Sequence, residues 1–147
     1  MRVLVTGANG FVGRWLTAAL RERGHEVIGA GHVAQGGDVL PLDLADPLSI
    51  RGVVDVARAD AVAHLAAQAF VPMSISDPIG TYQINVAGTL HLIESLRAVR
   101  DAGGPDPRVL VTGSADVYGT QPSSAFPLRE TVATNPANPY AASKIAA

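Results

Sequence analysis

The sequence predicts an α/β fold built on a doubly wound parallel sheet, and three observations predict it. β-Branched apolar runs alternate with stretches of helical apolar spacing in the order β-α-β-β-α-β-α-β-α, which argues for parallel strands with helices on both faces. Glycines at 7, 10 and 13 join the first strand to the first helix. The 147 residues carry no linker, repeat or low-complexity tract, so residues 1–147 form one domain that can bury one sizeable core.

The elements follow in order. Arg2 to Thr6 is a short apolar run bounded by Gly7 and reads as a buried strand. Phe11 to Arg23 has apolar residues at 11, 12, 15, 16, 19 and 20, a helical spacing that Gly24 stops. His25 to Ala30 is a second strand, and Gly36-Gly37 a turn. Val39 to Leu42 is a short third strand despite Pro41, which belongs on a sheet edge if anywhere. Pro47 opens a helix to about Arg58, with Asp46 as its N-cap. Ala61 to Leu65 is the fourth strand. Residues 68–80 contain two prolines and are expected to be loop. Thr81 to about Ala102 is a long helix ended by Gly103-Gly104-Pro105. Arg108 to Thr112 is the fifth strand. A long loop over 119–139 leads to a last helix opening at Pro139.

Composition narrows the function classes. A net charge of −2 gives no reason to expect a nucleic-acid partner. The absence of cysteine excludes disulfides, thiolate metal sites and a cysteine nucleophile, and no metal site is expected. No apolar stretch approaches a membrane span and no signal-peptide pattern opens the chain, so a cytoplasmic location is expected. The final residues 141–147 read as the opening of a helix without cap or following strand. The expectation is a domain truncated within that helix, with a C-terminal substrate domain beyond it.

The segment Thr6-Gly7-Ala8-Asn9-Gly10-Phe11-Val12-Gly13 carries the first chemistry. One glycine turns the chain sharply off the strand, a second lets the backbone approach a pyrophosphate, and a third lets helix and strand pack closely. The helix N-terminus then offers N–H groups and a positive dipole end to phosphates. The strand–loop–helix context marks Gly7, Asn9, Gly10, Phe11, Val12 and Gly13 as dinucleotide-binding candidates.

The second constellation is Tyr140-Ala141-Ala142-Ser143-Lys144. Positions i and i+4 share a helix face, so a phenol and an ammonium can act together. Hydride transfer at a carbinol carbon requires a proton to leave or join its oxygen. A free phenol, with a pKa of about 10, is a poor base near neutrality, and a nearby cation favours the phenolate. Ser114 follows the fifth strand, where active sites of open α/β sheets lie, and its hydroxyl can hold the substrate oxygen for Tyr140. The plain alternatives are a turn serine and a surface helix pair.

The glycine spacing, preceded by threonine and in register with Tyr-x-x-x-Lys, resembles the short-chain dehydrogenase/reductase superfamily. Over essentially the whole chain it resembles the extended, NAD-dependent epimerase/dehydratase branch. His64-Leu-Ala-Ala67, Asn85-Val-Ala-Gly-Thr89, Ser114-Ala-Asp-Val-Tyr-Gly119 and Pro139-Tyr-x-x-Ser-Lys144 carry that resemblance. It implies a Rossmann-type fold and a nicotinamide cofactor. It also implies a nucleoside-diphosphate sugar oxidised or reduced at C4. Leu65, Ala66 and Ala67 are implied to pass beneath the cofactor, Asp43-Leu44 to contact adenine, and Asn85 to serve structure and site; Asp43 could equally be a turn residue. His64 reads as a packed histidine. The position that selects NAD by a carboxylate is Gly31, so the expectation tilts slightly to NADP over NAD; His32 could approach a 2′-phosphate, or equally be a solvated loop histidine.

Within that branch, 4,6-dehydratases carry a glutamate two residues after the catalytic hydroxyl, and many an aspartate just before it. Here those positions hold Asp116 and Ala115. Asp116 keeps a carboxylate on a shorter stem, and Ala115 donates no proton. The texture resembles GDP-mannose 4,6-dehydratases and GDP-4-keto-6-deoxymannose reductases, and a 4-keto reductase or epimerase is favoured. A dehydratase and a silent dinucleotide-binding protein remain the alternatives. Family members also dimerise, which implies a homodimer through the helices at 81–102 and from 140 onward.

Overall fold

The computed structural model describes residues 1–32 and 39–147. The Gly36-Gly37 turn lies outside the described residues. Five parallel strands, β1 (Arg2–Thr6), β2 (Glu26–Gly31), β3 (Val39–Pro41), β4 (Ala61–His64) and β5 (Arg108–Val111), form a sheet of order β3-β2-β1-β4-β5. Pro41 stands on the edge strand β3, where its missing N–H breaks no ladder bond. The chain reverses direction across the sheet at β1, which sits between β2 and β4. That is the topological switch point where ligands of such sheets bind. Because all strands run the same way, Thr6, Gly31, His64 and Val111 end along one rim, with Thr6 level with His64.

Alternation along β1 splits the core in two. Leu4 and its neighbour Val62 face helices α2 (Pro47–Ala57) and α5 (Gly88–Asp101), joined by Ile50, Val54, Leu92 and Leu96. Val3, Val5 and Ala63 face the opposite side and pack with Leu16 and Leu20 of α1 (Phe11–Glu22). Leu4, Ile50 and Leu92 are fully buried; each such side chain contributes about 2–3 kcal/mol. Leu110 of β5 lies on the α1 side, in register with Val5 and Ala63, yet it is 60% exposed.

Local chemistry sets the boundaries. Asp46 caps α2 by accepting from the Leu48 N–H at 2.9 Å, and Pro47 starts it. Gly24 adopts φ +76° just past α1, a left-handed position that favours glycine. Two expectations need correction. Residues 68–80 are not plain loop but hold two short helices, α3 (Val71–Ser76) and α4 (Pro78–Tyr82). Pro72 and Pro78 occupy first turns, where a proline fits a helix instead of breaking it. The long helix expected over 81–102 is a composite of α4, a π turn at Gln83–Ala87 and α5. A last helix, α6 (Pro139–Ala146), is capped by Asn138, which accepts from the Ala141 N–H at 2.8 Å.

Candidate active site

The turn from β1 into α1 is shaped by close backbone approach. Gly7 has φ +70°, and a Cβ there would lie 2.9 Å from the Ala66 nitrogen. A Cβ on Gly13 would run into the Gly7 carbonyl oxygen, so only glycine lets α1 start directly beneath the loop. Gly10, the N-cap of α1, brings no capping side chain. The first-turn N–H groups are therefore left for an anion.

At the loop is a cleft of about 480 Å³, lined by Gly7, Asn9 and Gly10 and by Leu65, Ala66 and Ala67. His32, Leu42, Asp43, Leu44, Gln68, Ala69 and Ile84 complete the lining. This cleft at the switch point, with a glycine cradle that any Cβ would fill, fits a dinucleotide. Of the expected cofactor residues, Phe11, Val12, Gly13, Asn85, Tyr140 and Lys144 do not line it. Phe11 and Val12 are exposed in the first turn of α1, and Gly13 is packed underneath. Leu42, Gln68, Ala69 and Ile84 line the cleft without having been singled out for it; for Gln68 the only signal was its place at the end of the strand-following segment.

The corner where a selector carboxylate would stand is occupied by a neighbouring side chain. A Cβ on Gly31 would collide with the side-chain oxygen of Asn9, so that amide fills the space a residue-31 side chain would need. His32 beside it is exposed. Asp43 lines the cleft and also makes a turn, accepting from the Ala45 N–H at 2.8 Å.

The segments expected to carry chemistry meet along the same rim. Helix α6 packs on α3, α4, the π turn and a 3₁₀ turn at Ala115–Tyr118. Buried Asn85 accepts from the Gln68 N–H at 2.8 Å and donates from Nδ2 to the Gln68 carbonyl at 3.0 Å and to Ser143 Oγ at 2.9 Å. The Ser143 hydroxyl in turn donates to the Tyr140 carbonyl at 2.7 Å. A chain of hydrogen bonds thus runs from the cleft wall at Gln68 into the helix bearing Tyr140 and Lys144, both half-buried. Burial lowers the pKa of Lys144 below that of a free lysine. Ser114 Oγ caps its turn by accepting from the Asp116 N–H at 3.2 Å, which leaves the hydroxyl proton to donate. Asp116 is exposed.

His64 lies beneath these groups, 3% exposed, with Nδ1 2.7 Å from Thr6 Oγ1 and Nε2 3.1 Å from Thr89 Oγ1. Burial first, and the charge of Lys144 second, push its pKa from 6.5 to about 4. Among the described residues, no group of histidine and acidic side chains could hold a metal ion.

The sequence matches the model of the NAD dependent epimerase/dehydratase family over residues 3–147. The chain belongs to that family. Among curated members, it is 40% identical over 150 residues to GDP-6-deoxy-D-mannose reductase of Pseudomonas aeruginosa, covering 99% of this chain and 44% of that protein. It is 36% identical over 158 residues to UDP-glucose 4-epimerase of Mycolicibacterium smegmatis, covering 99% and 49%. Among solved structures it superposes on Thermus thermophilus UDP-glucose 4-epimerase in complex with NAD at a TM-score of 0.84. That pair shares 34% identity, with 99% of this chain and 48% of the other covered. It superposes on RMD from Pseudomonas aeruginosa complexed with NADPH at 0.77, with 36% identity and coverage of 99% and 45%. The chain thus spans less than half the length of these epimerase/dehydratase relatives, and its sheet is of their Rossmann type. No helix among the described residues is long and apolar enough to cross a membrane.

Proposed function

We propose that this chain is the coenzyme-binding half of an NADP-dependent oxidoreductase. It would reduce or epimerise C4 of a nucleoside-diphosphate sugar. The observation that carries this reading is the hydrogen-bonded path from Gln68 in the cleft wall through Asn85 and Ser143 to Tyr140. It couples the groove suited to a dinucleotide with the helix that bears the phenol and ammonium.

When bound, the nicotinamide supplies the hydride acceptor or donor. The rest is the work of this chain's own residues. The loop at Gly7, Gly10 and Gly13 and the start of α1 hold the diphosphate. Ser114 donates its hydroxyl hydrogen to the sugar oxygen, its own oxygen being engaged by the Asp116 N–H. Tyr140 takes the proton from that oxygen during oxidation and returns it during reduction. Lys144 favours the phenolate through its charge. NADP is favoured over NAD because Asn9 occupies the space of a residue-31 side chain and no carboxylate stands there to repel a 2′-phosphate. Similarity to the Pseudomonas reductase supports reduction over dehydration, as does exposed Asp116 in place of a glutamate, and similarity to RMD complexed with NADPH accords with NADP. A homodimer through the helices at 81–102 and from 140 onward is also proposed, with Val86 and Leu90 on an apolar face of the first, and sedimentation of the intact protein would test it.

The deciding experiment is hydride transfer by the intact protein with a panel of nucleotide sugars and both reduced coenzymes. Tyr140→Phe is expected to lower kcat by about 10²–10⁴-fold while coenzyme affinity holds. Full activity in that variant would remove the mechanism.

A further inference from the structure

The hydrogen bonds around His64 can be assigned a direction. The Thr89 hydroxyl donates to the Asn85 carbonyl at 2.7 Å, so its proton is committed and its oxygen must accept from His64 Nε2. The ring is then protonated on Nε2 and bare on Nδ1, which accepts from the Thr6 hydroxyl at 2.7 Å. Thr6 Oγ1 also accepts from the Ala66 N–H at 3.2 Å, at the wall of the cleft. Each of these donors and acceptors is used, with one neutral tautomer and no other.

The geometry points to His64, as its Nε2–H tautomer, being a positioning residue. It ties the start of the phosphate-binding loop at Thr6 to the Asn85–Ser143 link that holds the helix of Tyr140 and Lys144. The strut is continuous: Ala66 and Thr6 on one side of the ring, Thr89, Asn85 and Ser143 on the other. It spans β1, β4, the π turn and α6, elements far apart in sequence and bridged here in the buried core. A protonated ring would need Thr6 to accept on Nδ1–H, which strands the Thr6 hydroxyl proton in the core. The coenzyme loop and the catalytic helix therefore share one mechanical reference. Any change that rotates the ring disturbs both.

The inference rests on the dinucleotide reading for its consequence, and its tests separate the two. Nitrogen-15 spectra of the intact, ligand-free protein report the His64 tautomer directly. The Nε2–H form is expected, and the Nδ1–H form or a mixture would overturn the proposal whatever the protein binds. A double-mutant cycle with Thr6→Val and Ser143→Ala, read by fluorescence titration with NADPH, tests the coupling. These residues share no hydrogen bond, so independent effects would multiply. A departure from multiplication of about threefold or more in Kd is expected, and simple multiplication would refute the strut. Thr89→Val, nearly the same shape, is expected to raise Kd about threefold or more, with Thr89→Ser returning it to near wild type. An unchanged Kd in Thr89→Val would also refute it. Failure of every form, wild type included, to bind NADPH or NADH would sink the oxidoreductase reading and leave the tautomer result standing.

Discussion

Acid should cost this protein stability through one buried ring, and the amount follows from the site. The imidazole of His64 has a pKa of 6.5 when exposed in the unfolded chain and about 4 in the fold, because burial and then the charge of Lys144 disfavour its cation. Below pH 6.5 the unfolded chain takes up a proton that the native state refuses, so stability falls as pH drops. The loss levels off once the native ring also titrates, near pH 4. Within that window the slope is about 1.4 kcal/mol per pH unit, which gives a loss of about 2–3 kcal/mol between pH 7 and pH 4.5. Carboxylates titrate in the same range and must be subtracted. His64→Gln removes the ionising group and keeps a polar side chain, so the comparison is of slopes, not of absolute stabilities. Urea midpoints of the intact protein at pH 7 and 4.5 should fall by about 1 M more in the wild type than in His64→Gln. Equal falls in the two proteins would refute the assignment of a neutral, proton-resisting ring.

Three further outcomes are expected. Gly13→Ala places a methyl against the Gly7 carbonyl. It should destabilise the fold by about 1–3 kcal/mol, seen as a lower Tm, and weaken dinucleotide binding in fluorescence titration. Asp46→Ala removes the acceptor for the Leu48 N–H and should cost about 1 kcal/mol in urea unfolding, with coenzyme affinity unchanged. His32→Ala should weaken NADPH binding by about three- to tenfold and leave NADH binding alone; equal losses for both would place the 2′-phosphate elsewhere.

Where the sequence carried a local physical signal, the fold was legible. Asp46-Pro47 marks a helix start because the carboxylate and the missing N–H act within one turn, and Gly24 marks a stop because its φ suits glycine. Pro72 and Pro78 misled because a proline signals the end of one segment and the first turn of another equally well. The π turn left no trace in the apolar spacing. Within it, Asn85 is held by the Gln68 backbone and Ser143, partners far along the chain. The glycine loop was readable from spacing and context. The close approach of the Asn9 amide to Gly31 was not, since only the fold brings the loop against the end of β2. His64, read as packed, is packed; its two threonine partners belong to other elements, and only tertiary structure joins them.

The strand β5 has a practical consequence for handling this polypeptide. Its outer edge pairs with nothing among the described residues, and unlike β3 it bears no proline to discourage a newcomer. Leu110 adds a greasy spot beside those vacant amides. That edge offers a template for strand-to-strand stacking between molecules. Light scattering should therefore rise with protein concentration, and a charged residue at 110 should suppress that rise.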